Sequence, residues 1–379
     1  MRVTKVACHV VQAKVDRPFT SARGMLYAAR TSCLVEIETD VGTAGWGECY
    51  GPASIARAAV EYLAPRVVGR DPFDATVIWE DLYNRIKDYG LSGITIAAIS
   101  GIDIALHDLM GKEVGKPAHK LLGGGFRDRV PAYATGLYFI DPGHLIDEAV
   151  DEASAYVQHG FRAIKMKIGL GDLVADVSRI KAVRDAIGPD VKLAVDANHC
   201  FTVPQAIRLG RALEALDILW FEEPIGPEDM AGYVEVTRAL DVAVAGGENE
   251  FTRWGFRSIV ERKAMDIVQP DVCAAGGLSE CMRIATLCTA YGVECVPHAW
   301  GSVIGLAATL QFLGALPDQP PAWRPFPPML EFEQTPNPLR DALAVAPIML
   351  ESDGTVAIPQ GPGLGIEIDR AVLDQYRIG

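Results

Sequence analysis

The 379-residue sequence is 49% hydrophobic, carries a formal net charge of −14 and has a pI near 5.0. That is enough apolar material for a large core and more than one domain. The acidic balance argues against nucleic acid or an anionic membrane as a partner, but leaves room for a small anionic substrate in a locally positive site.

The N-terminal MRVTKVACHVVQAKVDRPF has no continuous apolar core segment, so no signal peptide is expected. Strand-like runs cover residues 2–14, 31–39 and 43–50, with turn chemistry in DVGTAG between the last two. Helical patterns follow at 53–66, 74–87 and 93–113, the last apolar on most faces and ended by Gly111, Gly115 and Pro117. Residues 1–125 are therefore expected to form an α+β module, with LLGGGFRDRVP as its junction.

From about residue 132 the rhythm changes. Short apolar runs recur at 132–138, 162–168, 192–197, 217–222, 241–246, 265–270, 293–298 and 328–332. Amphipathic helical segments separate them, among them 143–160, 173–188 and 204–217. Such alternation predicts an α/β architecture with a parallel sheet, a βα barrel rather than a doubly wound open sheet. No GxGxxG or P-loop follows the first of these strands, which weighs against the open sheet. The apolar stretch near 303–317, interrupted by Thr309 and Gln311, reads as a buried helix and not a bilayer span. Residues 126–344 are assigned to the barrel, and residues 345–379 are expected to return to the first module. The eight cysteines form no CxxC and no zinc-type spacing, so reduced thiols in a cytoplasmic protein are expected.

Charged residues fall at the predicted strand ends. In AIKMKIG (163–169), alternation places Lys165 and Lys167 on one face and Ile164, Met166 and Ile168 on the other. Next come Asp196 and Asn198 in KLAVDAN, Glu222 and Glu223 in LWFEEP, and Glu248 in VAVAGGENE. Asp271, His298, Glu331 and Glu333 continue the series. In a parallel barrel the C-terminal face gathers such residues into one site. Asp196, Glu222 and Glu248 are evenly spaced, 26 positions apart (222 − 196 and 248 − 222), so they fall on consecutive strands. Three converging carboxylates repel unless a cation joins them, and all-oxygen ligation favours Mg²⁺ over zinc. Asp271 precedes His298 by one repeat and would fix its tautomer and raise its basicity. Lys167, beside Lys165 and the cation, is expected to have a lowered pKa and to act as a neutral base.

This ordered set resembles the enolase superfamily, specifically its mandelate racemase subgroup, over essentially the whole chain. The matching residues are Lys165 and Lys167, the metal trio, the Asp271–His298 dyad, and Glu331 on the eighth strand. The resemblance implies a (β/α)7β barrel, an N-terminal α+β cap completed by the C-terminal segment, and one Mg²⁺ per subunit. It also implies removal of the proton α to a substrate carboxylate, the cation stabilising the enediolate. Lys165 would contact the carboxylate and lower the pKa of Lys167, and Glu331 would hydrogen-bond the same group. Lys167 and His298 would flank the α-carbon from opposite faces.

DANHCFTV, VPHAWGS, EFEQTPNPLRDAL and GPGLGIEIDR look most like acid-sugar members of the subgroup, including those that open a lactone by β-elimination. Asn198 and His199 could then bind substrate hydroxyls. The segment PFTSARGMLYAAR (18–30), with Arg23, would form a loop closing over the substrate. A homo-oligomer is expected by analogy. Sugar-acid dehydration and racemisation or epimerisation remain alternatives within the same chemistry. A Schiff-base aldolase with Lys167 as nucleophile and a non-catalytic barrel are the readings from other classes.

Overall fold

The computed structural model describes residues 1–318 and 327–378; residues 319–326, within the segment assigned to the barrel, and Gly379 lie outside the described residues. The chain opens with three antiparallel strands, β1 (Val3–Thr20), β2 (Leu26–Thr39) and β3 (Ala44–Cys49), in the order β1-β2-β3. The first two are longer than the sequence predicts. The segment expected to be a loop at 18–30 is instead the end of a β-hairpin, with only residues 21–25 outside the strands. Phe19 pairs with Tyr27 there, and Thr20 with Leu26. Asp16, Arg17 and Arg23 face solvent there, whereas Ser21 and Arg30 are buried.

Helices α1 (Ala53–Leu63), α2 (Ala75–Ile86) and α3 (Ile94–Val114) pack on the sheet, followed by the single turn α4 (Ala118–Leu121). Helix α3 is long and apolar enough to cross a membrane by length and composition, but it is a core helix, buried from Ile96 to Gly111. It lies close on β3, where a side chain at Gly45 or Gly47 would strike the carbonyl of Ala105 or Gly101.

The barrel strands are β4 (Arg129–Gly136), β5 (Ala163–Lys167), β6 (Lys192–Asp196), β7 (Ile218–Glu222), β8 (Val244–Gly246), β9 (Ile267–Val268), β10 (Glu294–Cys295) and β11 (Leu330–Glu333). Each pairs in parallel with its predecessor through β10, and β11 closes back on β4. No ladder joins β10 to β11 among the described residues. The later strands are shorter than their apolar runs, because the chain stays buried after it leaves the ladder.

Helices α5 (Leu145–Gln158), α6 (Leu173–Ile187), α7 (Val203–Leu213), α8 (Met230–Ala239), α9 (Thr252–Arg262), α10 (Gly277–Tyr291) and α11 (Val303–Ala315) connect the strands. Their starts are marked in the sequence. Asp172 accepts from the Val174 amide at α6, and Thr202 with Gln205 forms a capping box at α7.

Alternation then divides each barrel strand. Ile164, Met166, Leu193, Val195 and Phe221 join the core beneath the helices. Ala163, Ala194, Trp220 and Ala245, with Tyr133, Ile267 and Val296, fill the lower barrel interior. The next inward positions are Lys165, Lys167, Asp196 and Glu222. Thus the inner face is apolar at one end and charged at the other, and full burial of each outward aliphatic side chain contributes roughly 1.5–3 kcal/mol.

The remaining elements are α12 (Pro338–Asp341), β12 (Thr355–Ala357), which pairs antiparallel with β4, and α13 (Arg370–Tyr376). The C-terminal segment reaches back to the first sheet. The Ile378 amide donates to Val10, and Arg370 pairs with Glu36.

Candidate active site

Cross-strand register levels the first charges. Lys167, Asp196 and Glu222 are successive partners across β5, β6 and β7, each at its strand's last residue. Glu248, Asp271 and His298 follow just beyond β8, β9 and β10, and Glu331 lies on β11. Asp196, Glu222 and Glu248 can place one carboxylate oxygen each within 4.8 Å of the others. A hard, oxygen-preferring cation suits this donor set.

The trio is not unpaired, as the sequence implied. Lys165 bonds Glu222, lies 2.8 Å from Glu331 Oε1 and 3.9 Å from Asp196 Oδ2, and is fully buried. Lys167 bonds Asp196. Burial works against both ammonium charges, but Glu222 and Glu331 hold Lys165, and Asp196 holds Lys167, well above the usual lysine value. From the protein groups alone, a carboxylate in contact outweighs both burial and the neighbouring Lys165; the lowering expected of Lys167 belongs to the site with Mg²⁺ bound, whose charge would oppose that of Asp196.

Polar partners surround Asp196, Glu222 and Glu331. Trp220 Nε1 and Gln269 Nε2 donate to Glu222 Oε2 at 2.8 and 2.7 Å. The Asn198 amide donates to Asp196 Oδ1 at 2.9 Å. Thr135 donates to Glu331 Oε1 at 2.7 Å. Arg179, buried under β5, donates to the carbonyls of Lys167 and Leu137 at 2.6 and 2.7 Å.

On the other side, His298 Nδ1 lies 2.6 Å from Asp271 Oδ2, which orients the ring, and Nε2 lies 3.5 Å from Glu248 Oε2. Burial works to lower the His298 pKa, but Glu248, Glu331 and Asp271 together push it up to about 10. Thus Lys167 and His298 approach the carboxylate trio from opposite sides.

Asn198 and His199 both adopt left-handed backbone, with φ of 41° and 69°. Asn198 is engaged with Asp196. His199 Nε2 is 3.1 Å from both Asn249 Nδ2 and Glu223 Oε2, and its buried Nδ1 has no hydrogen-bond partner among the described residues. Burial, Glu248 and Asp196 keep the Glu223 carboxyl well above the usual range. Arg23 is exposed in the hairpin turn, and its charge reaches His199, where it adds to burial in lowering that ring's pKa.

Another hairpin arginine, passed over in the sequence, is buried. Arg30 donates to Glu333 and Thr335 at 3.2 and 3.3 Å and stacks 3.9 Å over Trp300. Phe19 and Tyr27 of the hairpin meet Tyr138 and Trp300, and Tyr138 in turn covers Lys167, 5.2 Å from its ammonium. Tyr50, just after β3, sets its ring at 88° to His298 with centroids 5.8 Å apart. The sequence signal for these residues was weak: aromatics beside polar strand ends.

Comparison with known proteins decides the family. The family model for the mandelate racemase / muconate lactonizing enzyme N-terminal domain matches residues 4–123, and the enolase C-terminal domain-like model matches residues 148–372. The chain belongs to the enolase superfamily. Within it, the chain is 44% identical over 378 residues to a D-galactarolactone cycloisomerase of Agrobacterium fabrum, covering 100% of this chain and 99% of that protein. A solved 3,6-anhydro-D-galactonate cycloisomerase from Zobellia galactanivorans superposes with a TM-score of 0.90 at 38% identity, over 100% of both chains. A racemase from Streptomyces coelicolor A3(2), solved with bound magnesium, gives 0.89 at 29% identity, over 99% of this chain and 100% of that one. The superfamily is metal-dependent, and this member has the buried acidic trio.

Proposed function

We propose that this enzyme removes the proton α to the carboxylate of an acid sugar or acid-sugar lactone and completes a β-elimination, as a cycloisomerase or sugar-acid lyase. The observation that carries the reading is the placement of Lys167 against Asp196 and of His298 against Glu248. Two proton-transferring groups thereby flank one carboxylate trio. The similarity to two cycloisomerases of sugar lactones or anhydro sugar acids supports the substrate class.

Asp196, Glu222 and Glu248 are the residues that would hold Mg²⁺, a choice supported by their oxygen-only donors and by the magnesium in a structural relative. When bound, the ion supplies positive charge that stabilises an enediolate. Lys165 binds the substrate carboxylate by charge, and Glu331 hydrogen-bonds it only as the neutral acid, the form that a second carboxylate alongside favours. Lys167 and His298 divide the proton work, one taking the α-proton and the other delivering a proton to its own face. Asp271 holds the His298 ring in the tautomer that presents Nε2. Asn198, His199 and Glu223, grouped beside the trio, would read substrate hydroxyls. A small carboxylate substrate would be received by Lys165, Lys167 and His298 together with a bound divalent cation, because the carboxylates of the site outnumber its three protein cations.

The test is ¹H NMR in D₂O with Mg²⁺ over aldonic acids, aldaric acids and their lactones. Loss of an α-proton signal with a new deoxy CH₂ or CHD establishes elimination, and lactone or open acid as starting material separates cycloisomerase from dehydratase. Deuterium exchange alone would replace elimination by racemisation or epimerisation. No change in Mg²⁺-loaded protein would overturn the acid-sugar assignment.

A further inference from the structure

The cap contributes more than a lid, because two of its buried carboxylates grip the barrel helices that follow Asp271 and His298. Glu48, on β3, points across to the start of α11. Its Oε1 accepts from the Ser302 amide at 2.9 Å, and its Oε2 accepts from Ser302 Oγ at 2.6 Å and the Gly305 amide at 2.8 Å. Ser32 of β2 donates to Oε1 as well. Glu48 is 2% exposed, so this carboxylate is committed to the first turn of α11. Ser302 follows His298 by four residues. The fit leaves no room for side chains: a Cβ at Gly301 would lie 2.7 Å from Glu48 Oε1.

Asp103 repeats the arrangement from α3. Its carboxylate accepts from the Ser279 amide and hydroxyl at 2.9 and 2.7 Å, in the first turn of α10. The preceding loop, which begins at Asp271, is tied down by further cap groups. Ser100 Oγ accepts from the Gly276 amide, Trp79 Nε1 donates to the Gly276 carbonyl, and the Tyr50 amide donates to the Cys273 carbonyl. A carboxylate at a helix N-terminus satisfies otherwise orphaned amides and complements the helix dipole.

We propose that Glu48 and Asp103 are positioning residues that set the Asp271–His298 geometry from the cap. This rests on the reading of His298 as a proton-transferring group. Glu48 is the stronger case, because each of its oxygens takes a backbone amide proton, from Ser302 or Gly305, and a backbone N–H cannot accept. Replacing one oxygen with an NH₂ turns a donor toward donors, so Glu48→Gln must push Ser302 or Gly305 away. Displacement of a catalytic group by about an ångström costs on the order of 100-fold in rate.

The experiment uses Mg²⁺-loaded, ¹⁵N-histidine-labelled enzyme and follows the Nδ1 proton of His298, identified by its loss in His298→Asn. In Glu48→Gln, that downfield resonance should shift or vanish and kcat should fall about 10- to 100-fold. KM and Mg²⁺ affinity should stay within about twofold, since the trio is held by other residues. Asp103→Asn should act in the same direction. Should Glu48→Gln fail to fold, Ser302→Ala carries the test on the same readouts, because it removes one donor at a capping cost of only about 1 kcal/mol. An unchanged resonance with kcat within twofold of the parent would overturn the inference. Failure of the underlying reading is distinguishable, because His298→Asn would then retain turnover.

Discussion

The two halves of the active site are held by different parts of the chain. On the lysine side, the supporting groups come from the barrel: Arg179 under β5, Asn198 beside Asp196, and Trp220 and Gln269 on Glu222. On the histidine side, cap residues join in: Tyr50, Trp79, Ser100 and Asp103 hold the loop after β9, and Glu48 holds the loop after β10 together with Glu331 and Asn337. If Glu48 and Asp103 position the Asp–His dyad, the dyad should respond to changes in the cap, and the lysine and carboxylate half should not. The cap hairpin also reaches the lysine side, but through aromatic packing of Phe19 and Tyr27 on Tyr138.

The strongest ways to break this division act on the proton-transferring groups themselves. Lys167→Ala and His298→Asn should each lower kcat by at least about 100-fold with the circular dichroism spectrum unchanged. Full activity in either would remove that residue from the mechanism. On the lysine side, Glu222→Gln should weaken Mg²⁺ binding, measured by titration calorimetry, by more than the roughly 10- to 100-fold typical of losing an outer-sphere partner. Gln269→Leu should fall within that outer-sphere range, and neither change should disturb the His298 Nδ1 resonance. Unchanged metal affinity in Glu222→Gln would sink the ligand assignment.

A smaller effect sharpens the contrast from outside the site. Glu36 of β2 is bonded by His9 and Arg370, which overcome its burial and hold its carboxyl down at about 2. A depressed carboxylate stabilises the fold above its unfolded pKa, about 4.3, and that contribution is lost as pH falls through about 2. Arg370 is half-exposed, so Arg370→Ala should cost only about 1 kcal/mol in urea melts at pH 7. The gap from the parent should narrow as the pH is lowered toward 2, while kcat at pH 7 is unchanged.

What the sequence made legible follows the same division. AIKMKIG, KLAVDAN and LWFEEP each combine a clear inward–outward alternation with a charge at the strand end, so the lysine and carboxylate half could be read from local pattern. Asp271 and His298 were visible from repeat spacing, but not what holds them. Glu48 and Ser302 are 254 positions apart, and Arg30 and Glu333 are 303 apart. No local periodicity signals such contacts. The hairpin at 18–30 was misread as a loop because its partners are aromatic side chains from the barrel, not a neighbouring apolar strand face. Arg30 was passed over for the same reason: its burial depends on Trp300 and Glu333, which no window around residue 30 contains.

The account's central claim is that Lys167 and His298 perform separate proton transfers at one substrate. It is tested most directly by incubating Mg²⁺-loaded Lys167→Ala and His298→Asn with the accepted substrate in D₂O and recording α-proton exchange apart from product. The prediction is that neither variant turns over, and that only one still exchanges the α-proton, the one that retains the base. Product formation at the parent rate in either variant, or α-proton exchange persisting in both, would contradict it.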